Sequence, residues 1–330
     1  MEGWVLVSFI VLLGLLFDYT NGVHDAANVV STVIATKALP PVIAILLTAF
    51  FNAVGAFQIS GVAHTISTGL LDGSFVTQKM VLCALFGAIG WNGMTWYFGL
   101  PSSSSYALVG GLLGSAFSHG GLEIILWKGL IVKVLIPMVV TPFLGFGIAY
   151  LVMKGLYRLL NGGGEGYFSK LFRYLQIGSG SLMALSHGLN DAQKSMGVIT
   201  LGLFASGYIE STEIPIWVII ACALMMGAGT ATGGLRIIRF VGFKITSLSS
   251  PQGFAAEMSA SFVILLASFL GMPISSSQMI VGSVSGVGSA KGMAHVKWEL
   301  GKKVLLTWIF TLPGSALLSA LAAWLSTWFY

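Results

Sequence analysis

Two aspartates, Asp25 and Asp191, sit inside long stretches that carry almost no other charge. A carboxylate at a bilayer centre costs on the order of 2.5–3.5 kcal/mol on insertion scales, so such a residue usually faces a bundle interior or a cavity and marks an ion or substrate path. Amide side chains gather beside both. Asn21 and Asn28 flank Asp25; Asn190 precedes Asp191, and Gln193 and Lys194 follow it by two and three residues. Carboxylate and amide oxygens are the ligands that hard cations prefer. Asp25, Asn28, Asn190 and Asp191 are therefore expected to hold sodium, with Asn21, Thr65 and Lys194 as candidates for further ligands. Glu257, in Gln252-Gly253-Phe254-Ala255-Ala256-Glu257, is a third acid in apolar surroundings and a further sodium candidate. Asp18 is expected to line an access path or to satisfy helix ends. His24, His64 and His187 read first as hydrogen-bond partners and second as proton carriers.

A second chemistry lies in two serine runs. Gly99-Leu100-Pro101-Ser102-Ser103-Ser104-Ser105 and Gly271-Met272-Pro273-Ile274-Ser275-Ser276-Ser277 each interrupt apolar sequence. Proline is favoured at the first position of a helix, so each run reads as a helix that stops and restarts. A restarted half-helix offers unpaired backbone N–H groups and a partial positive charge, which together bind anions. Ser104, Ser105, Ser276 and Ser277 add uncharged donors, and Asn28 and Gln193 are expected to help fix the anion. Two ionised aspartates and an anion in low dielectric would repel one another strongly. Cations must enter with the anion, or the carboxylates must take up protons. The pattern thus predicts cation-coupled transport of a tetrahedral anion.

The elements that would position these groups are membrane helices. The chain has 330 residues, 56% of them apolar and 8% charged. Ordinary soluble domains carry about 25% charged residues, so a soluble fold is excluded. Apolar runs long enough to span or half-span a bilayer recur, giving an all-α polytopic protein of roughly 10 to 12 transmembrane helices. The first run has only Met1-Glu2-Gly3 before it and reads as a membrane helix instead of a cleaved leader. Cys83 and Cys222 fall in apolar runs and indicate no disulfide. The net charge of +5 forms no basic stripe on a solvated domain, which excludes nucleic-acid binding. Lys154, Arg158, Lys170 and Arg173 instead surround a polar central stretch, placing it in the cytoplasm and both termini outside.

The motifs repeat in order. Pro101 and Pro273 lie 172 positions apart; Asp25 and Asp191 lie 166 apart. The chain therefore divides into a first transmembrane repeat (1–160), a cytoplasmic linker (161–170) and a second repeat (171–330). An odd number of crossings on each side of a cytoplasmic linker makes the repeats inverted in topology, with the site between their broken helices.

Asn21-Gly22-Val23-His24-Asp25-Ala26-Ala27-Asn28, with Val33 to Leu39 after it, resembles the signature of the inorganic phosphate transporter family. His187-Gly188-Leu189-Asn190-Asp191-Ala192-Gln193-Lys194-Ser195-Met196-Gly197 resembles the partner signature of its bacterial branch. The resemblance covers nearly the whole chain. It implies phosphate uptake coupled to sodium or protons across a plasma or inner membrane, with Asp25, Asn28, Asn190, Asp191 and Glu257 functional and no bound cofactor. It also implies that His64 matches Glu257 across the repeat. Some relatives carry sulfate, so a sulfate carrier is the nearest alternative; an anion channel and an enzyme acting on a phosphorylated lipid are the rivals outside the class. A homodimer is a further expectation for a transporter of this plan.

Overall fold

The computed structural model describes residues 3–58, 61–100, 102–160, 165–232 and 235–329, with backbone alone for 26–28, 160, 165–169, 235–237, 240 and 329. The first half comprises α1 (Gly3–Ala35), α2 (Pro41–Ala56), α3 (Gly61–Thr68), α4 (Gln78–Phe98), α5 (Ser104–Gly120) and α6 (Trp127–Leu130), which runs through a π turn (Ile131–Leu135) into α7 (Ile136–Leu160). The second comprises α8 (Glu165–Ala205), α9 (Ile216–Thr232), α10 (Leu235–Phe243), α11 (Ser250–Phe269), α12 (Ser276–Lys291) and α13 (Trp298–Ser326). Among the described residues, counting α6 to α7 as one segment, each half contributes six helical segments, in agreement with the all-α expectation. Among the described residues, four helical stretches are long and apolar enough to cross a membrane alone: α1, 127–159, α11 and α13. A fifth crossing is formed if α2 and α3, bent by 67° at their break, count together. Of the expected linker, 165–170 form the first turns of α8, and 161–164 lie outside the described residues.

The outer surface is apolar, with Leu151, Phe143, Phe269 and Ile216 all exposed, while Asp18, Asp25, Asp191, Lys194 and Glu257 are buried. This inversion of the soluble pattern is what a lipid solvent demands.

The two halves pack by exchange. α5 lies on α13 and α12 on α7; α1 lies on α9 and α8 on α2. Each contact is therefore made twice, once in each direction. Matched glycines allow it. A methyl group at Gly22 would meet Met226 O at 2.6 Å, and one at Gly229 would meet Tyr19 O at 2.2 Å. At the equivalent crossing, Gly188 faces Asn52 O at 2.0 Å and Gly55 faces Leu185 O at 2.1 Å. Small residues at such crossings bring backbones together, which substitutes for a hydrophobic drive that lipid does not supply. These crossings lie within one turn of Asp25 and Asp191 and set where the two carboxylates project.

Candidate functional site

Both serine runs interrupt helices. α4 ends at Gly99, which is left-handed (φ 66°), and α11 ends just before Gly271 (φ 68°). Only glycine takes this conformation without strain. Each restart falls on the serines expected to supply donors at the half-helix ends. α12 begins at Ser276 with Ser275 as its cap, three residues beyond Pro273, and α5 begins at Ser104 capped by Ser103. Each cap hydroxyl accepts the amide three residues on, from Tyr106 and Gln278. Serine outcompetes proline here because its oxygen satisfies an amide that the helix geometry leaves unpaired. Pro101 lies outside the described residues.

The two breaks are stitched to each other. Ser105 Oγ donates to Ile274 O at 2.9 Å, and Ser277 Oγ donates to Ser102 O at 2.9 Å. Both donors and both acceptors are 172 positions apart, so this is one bond made twice across the repeat. The carbonyls of the second break are satisfied one by one: Leu270 O by Lys133 Nζ (2.5 Å), Gly271 O by Thr65 Oγ1 (2.6 Å) and Met272 O by Asn190 Nδ2 (3.2 Å). Irregular backbone survives at membrane depth only when its polar groups are paired in this way.

Each aspartate meets the restart helix of its own half. Ser104 Oγ hydrogen-bonds to Asp25 Oδ2 and lies 2.7 Å from Asn21 Oδ1, while His24 Nδ1 is 3.0 Å from Asp25 Oδ1. One hydroxyl hydrogen cannot serve both oxygens beside Ser104. Three oxygens therefore converge with a deficit of positive charge, an arrangement suited to a cation or an added proton. His24 Nε2 reaches Ser102 Oγ at 3.4 Å. In the second half, Ser276 Oγ donates to Asp191 Oδ2 at 3.1 Å, and His187 Nε2 stands 3.3 Å from the same oxygen without hydrogen-bond alignment. His187 Nδ1 lies 3.1 Å from Asn52 Oδ1.

Lys194 completes this side. It is buried, and its ammonium donates to Asp191 Oδ1 at 2.5 Å, Ser105 Oγ at 2.5 Å and Ile274 O at 2.9 Å. It thus joins the aspartate to both breaks.

The remaining candidates divide. Gln193 holds the bend between α2 and α3, donating to Gln58 O (2.5 Å) and accepting from Ala63 N (3.4 Å). Asn190 supports the second break through Ser268 and Met272, with its Oδ1 buried and without a partner among the described residues. Asp18 accepts from Ser195 Oγ (2.7 Å), and its Oδ2 is also buried and without a partner among the described residues. The side chain of Asn28 lies outside the described residues. Glu257 is separate: it accepts from Ser179 Oγ and from Gln176 Nε2 at 3.2 Å. Ser179 precedes Asp191 by twelve residues of α8, about 18 Å along the axis. Glu257 cannot share a ligand cluster with the aspartates. Nor is His64 its partner across the repeat: the matched helices are α4 and α11, where the 172-residue offset places Leu85, which is buried. His64 is exposed on α3 and contacts Thr68.

One residue escaped the sequence reading. Asn92, on α4, is buried, yet both atoms of its amide lack a partner among the described residues. It lines a cleft of about 340 Å³ with Tyr19, Thr20, His24, Trp96 and Thr232. His24, which lines the cleft, is also the residue whose Nδ1 contacts Asp25. No charge or repeat marks Asn92; an amide inside an apolar run was its only signal.

The phosphate transporter family matches the chain twice, over residues 21–163 and 163–319. A probable low-affinity inorganic phosphate transporter of Mycobacterium bovis is 43% identical over 96% of this chain and 76% of its own length. Proteins of the same description from Rhizobium meliloti and Bacillus subtilis are 42% and 38% identical, each over 96% of this chain and over 95% and 96% of their own. A solved structure described as the sodium-dependent phosphate transporter superposes with a TM-score of 0.89 over 99% of this chain and 100% of its own, at 23% identity, a likeness of fold. This chain belongs to the phosphate transporter family.

Proposed function

We propose that the protein is a secondary active symporter that imports inorganic phosphate with sodium by alternating access. The observation that carries this reading is the doubled stitch between the breaks, Ser105 to Ile274 and Ser277 to Ser102, with one buried aspartate on each side. Phosphate sits between the N-termini of α5 and α12, where unpaired amides face it and Ser104, Ser105, Ser276 and Ser277 turn their hydroxyls toward its oxygens. In the structure those hydroxyls are spent on carboxylate and carbonyl oxygens, so binding the anion exchanges these bonds and loosens the stitch. That exchange couples substrate to the relative motion of the halves. Sodium occupies the oxygen cluster of Asn21, Asp25 and Ser104, with Asn28 nearby in sequence, and screens the incoming anion from the carboxylate. The cleft beside Asn92 is the access path to it. Glu257, with Ser179 and Gln176, is a candidate cation site of its own. The solved transporter that shares this fold is itself described as sodium-dependent, which supports sodium as the partner. The repeats lie inverted in the cell membrane, with the basic central segment in the cytoplasm and both termini outside.

The test is uptake of labelled phosphate into proteoliposomes under a sodium gradient, a proton gradient or neither. Accumulation above equilibrium with sodium alone is expected. Accumulation with a proton gradient alone would reassign Asp25 and Asp191, each beside an imidazole, as proton carriers. Equilibration without accumulation would indicate a channel, and preference for labelled sulfate would change the substrate.

A further inference from the structure

The two halves share a backbone plan, and one of the charges by which they differ stands beside a motif aspartate. Counting from the aspartates, Lys194 occupies the place that Asn28 occupies in the first motif, three residues after the acid in each case. Lys194 is buried, and its three hydrogens all go to oxygens: a carboxylate, a hydroxyl and a backbone carbonyl, at 2.5 to 2.9 Å. Three converging oxygens of these types are what a hard monovalent cation would collect at the same point. Asp191 is thereby complete, with Lys194 on Oδ1 and Ser276 on Oδ2. Asp25 has no such partner: among the described residues no lysine or arginine forms an ion pair with it, and its cluster with Asn21 and Ser104 is short of positive charge. Each aspartate faces one imidazole, His24 or His187, so the imidazoles do not make the difference.

We propose that Lys194 is a tethered cation standing in the second half where the symmetry of the fold calls for a sodium ion, so that the carrier takes up one sodium fewer per phosphate than two bare carboxylates would require. This rests on the sodium-symport reading above and revises one part of the ligand set, because Asp191 then holds an ammonium and no sodium. The ammonium also reaches Ser105 and Ile274, the donor and acceptor of one stitch between the breaks. The tethered charge therefore stays with the moving parts through the cycle, whereas the sodium at Asp25 loads and leaves.

The experiment measures labelled sodium and labelled phosphate entering the same proteoliposomes, for the full chain and its variants. The ratio, not the rate, is the readout. Lys194→Asn installs the residue of the first motif and is expected to raise the ratio by one sodium per phosphate. An unchanged ratio in that variant, with wild-type symport intact, overturns the tethered-cation assignment alone. Since removing one partner of a buried pair can prevent folding, Asp191→Asn with Lys194→Asn removes the pair as a neutral unit. That double variant is expected to keep the wild-type ratio. A loss of one sodium would show that Asp191 binds sodium in the native carrier and would also overturn the proposal. Wild-type protein that moves phosphate with no sodium overturns the symport reading, and this inference falls with it.

Discussion

Alanine at Gly188 tests whether the helix crossings set the site. The added methyl carbon would lie 2.0 Å from Asn52 O. A carbon–oxygen contact relaxes to about 3.3 Å or more, so α8 and α2 must separate locally by about 1.3 Å. The obstructing atom is backbone, which cannot swing aside as a flexible side chain would. Asn52 also carries the oxygen that holds His187 Nδ1 at 3.1 Å, and a shift of this size takes that contact out of hydrogen-bond range. Overpacking costs about 1–3 kcal/mol, and losing the hydrogen bond adds about 1 kcal/mol, for a total of about 2–4 kcal/mol. In detergent, Tm is expected to fall by several degrees. Phosphate uptake should fall by at least about tenfold, because misplacing reactive groups by an ångström is costly even where the fold survives. The control is on the same helix. Gly178 is exposed, with no atom within 4 Å of an added methyl, so Gly178→Ala should be neutral or slightly stabilising. If Gly188→Ala matched Gly178→Ala in both Tm and uptake, the crossing would not position Asp191, and the account of how the fold places its carboxylates would fail.

Three other outcomes follow from the same geometry. Asp25→Asn keeps the size of the side chain but removes its charge, so sodium-driven accumulation should be lost while the purified protein keeps its elution profile and Tm; full sodium-dependent uptake would refute the cation role. Ser105→Ala and Ser277→Ala each delete one of the paired stitches, about 0.5–1.5 kcal/mol apiece, but Ser105 also accepts a hydrogen bond from Lys194, so its loss should lower Tm more; equal shifts would argue against that second contact. Asn92→Ala removes a buried amide that has no partner, so Tm should hold or rise, while the phosphate concentration for half-maximal uptake increases severalfold; an unchanged uptake curve would leave Asn92 outside the access path.

The sequence disclosed the breaks because their cause is local. Gly99 and Gly271 stop helices in a conformation that other residues resist, and that signal survives without any knowledge of neighbours. The new helices begin at Ser104 and Ser276, within the serine runs that the sequence marks as half-helix ends, because a serine cap supplies an oxygen that proline lacks. The two aspartates stood out because a charge in apolar sequence is expensive wherever it folds. What escaped were facts about distance. Glu257 and Asp191 look alike in sequence, yet one hangs on Ser179 and the other lies about 18 Å further along the same helix. Lys194 was legible as a charge beside an acid, but its reach across to Ser105 and Ile274 depends on how α5 and α12 meet. Asn92 was illegible because an uncharged amide raises no alarm; only its unpaired atoms, known once every neighbour is placed, single it out.

The repeat explains both what is doubled and what is not. A duplicated backbone fixes two breaks, two stitches and two helix crossings, because each depends on residues whose small size or capping role must be kept in both copies. Charges are under a different constraint. Two bare carboxylates around one anion would multiply repulsion in a medium that screens poorly, so strict chemical symmetry is the unfavourable case. Placing an ammonium on one acid and leaving the other open resolves this without altering the backbone plan. In the proposed symport it also divides labour: one side is neutralised within the protein, and the other would be neutralised only when a cation arrives. Under the proposed symport, a carrier built this way would keep its anion site electrostatically closed until its coupling ion is bound, which is the condition that would link the two fluxes.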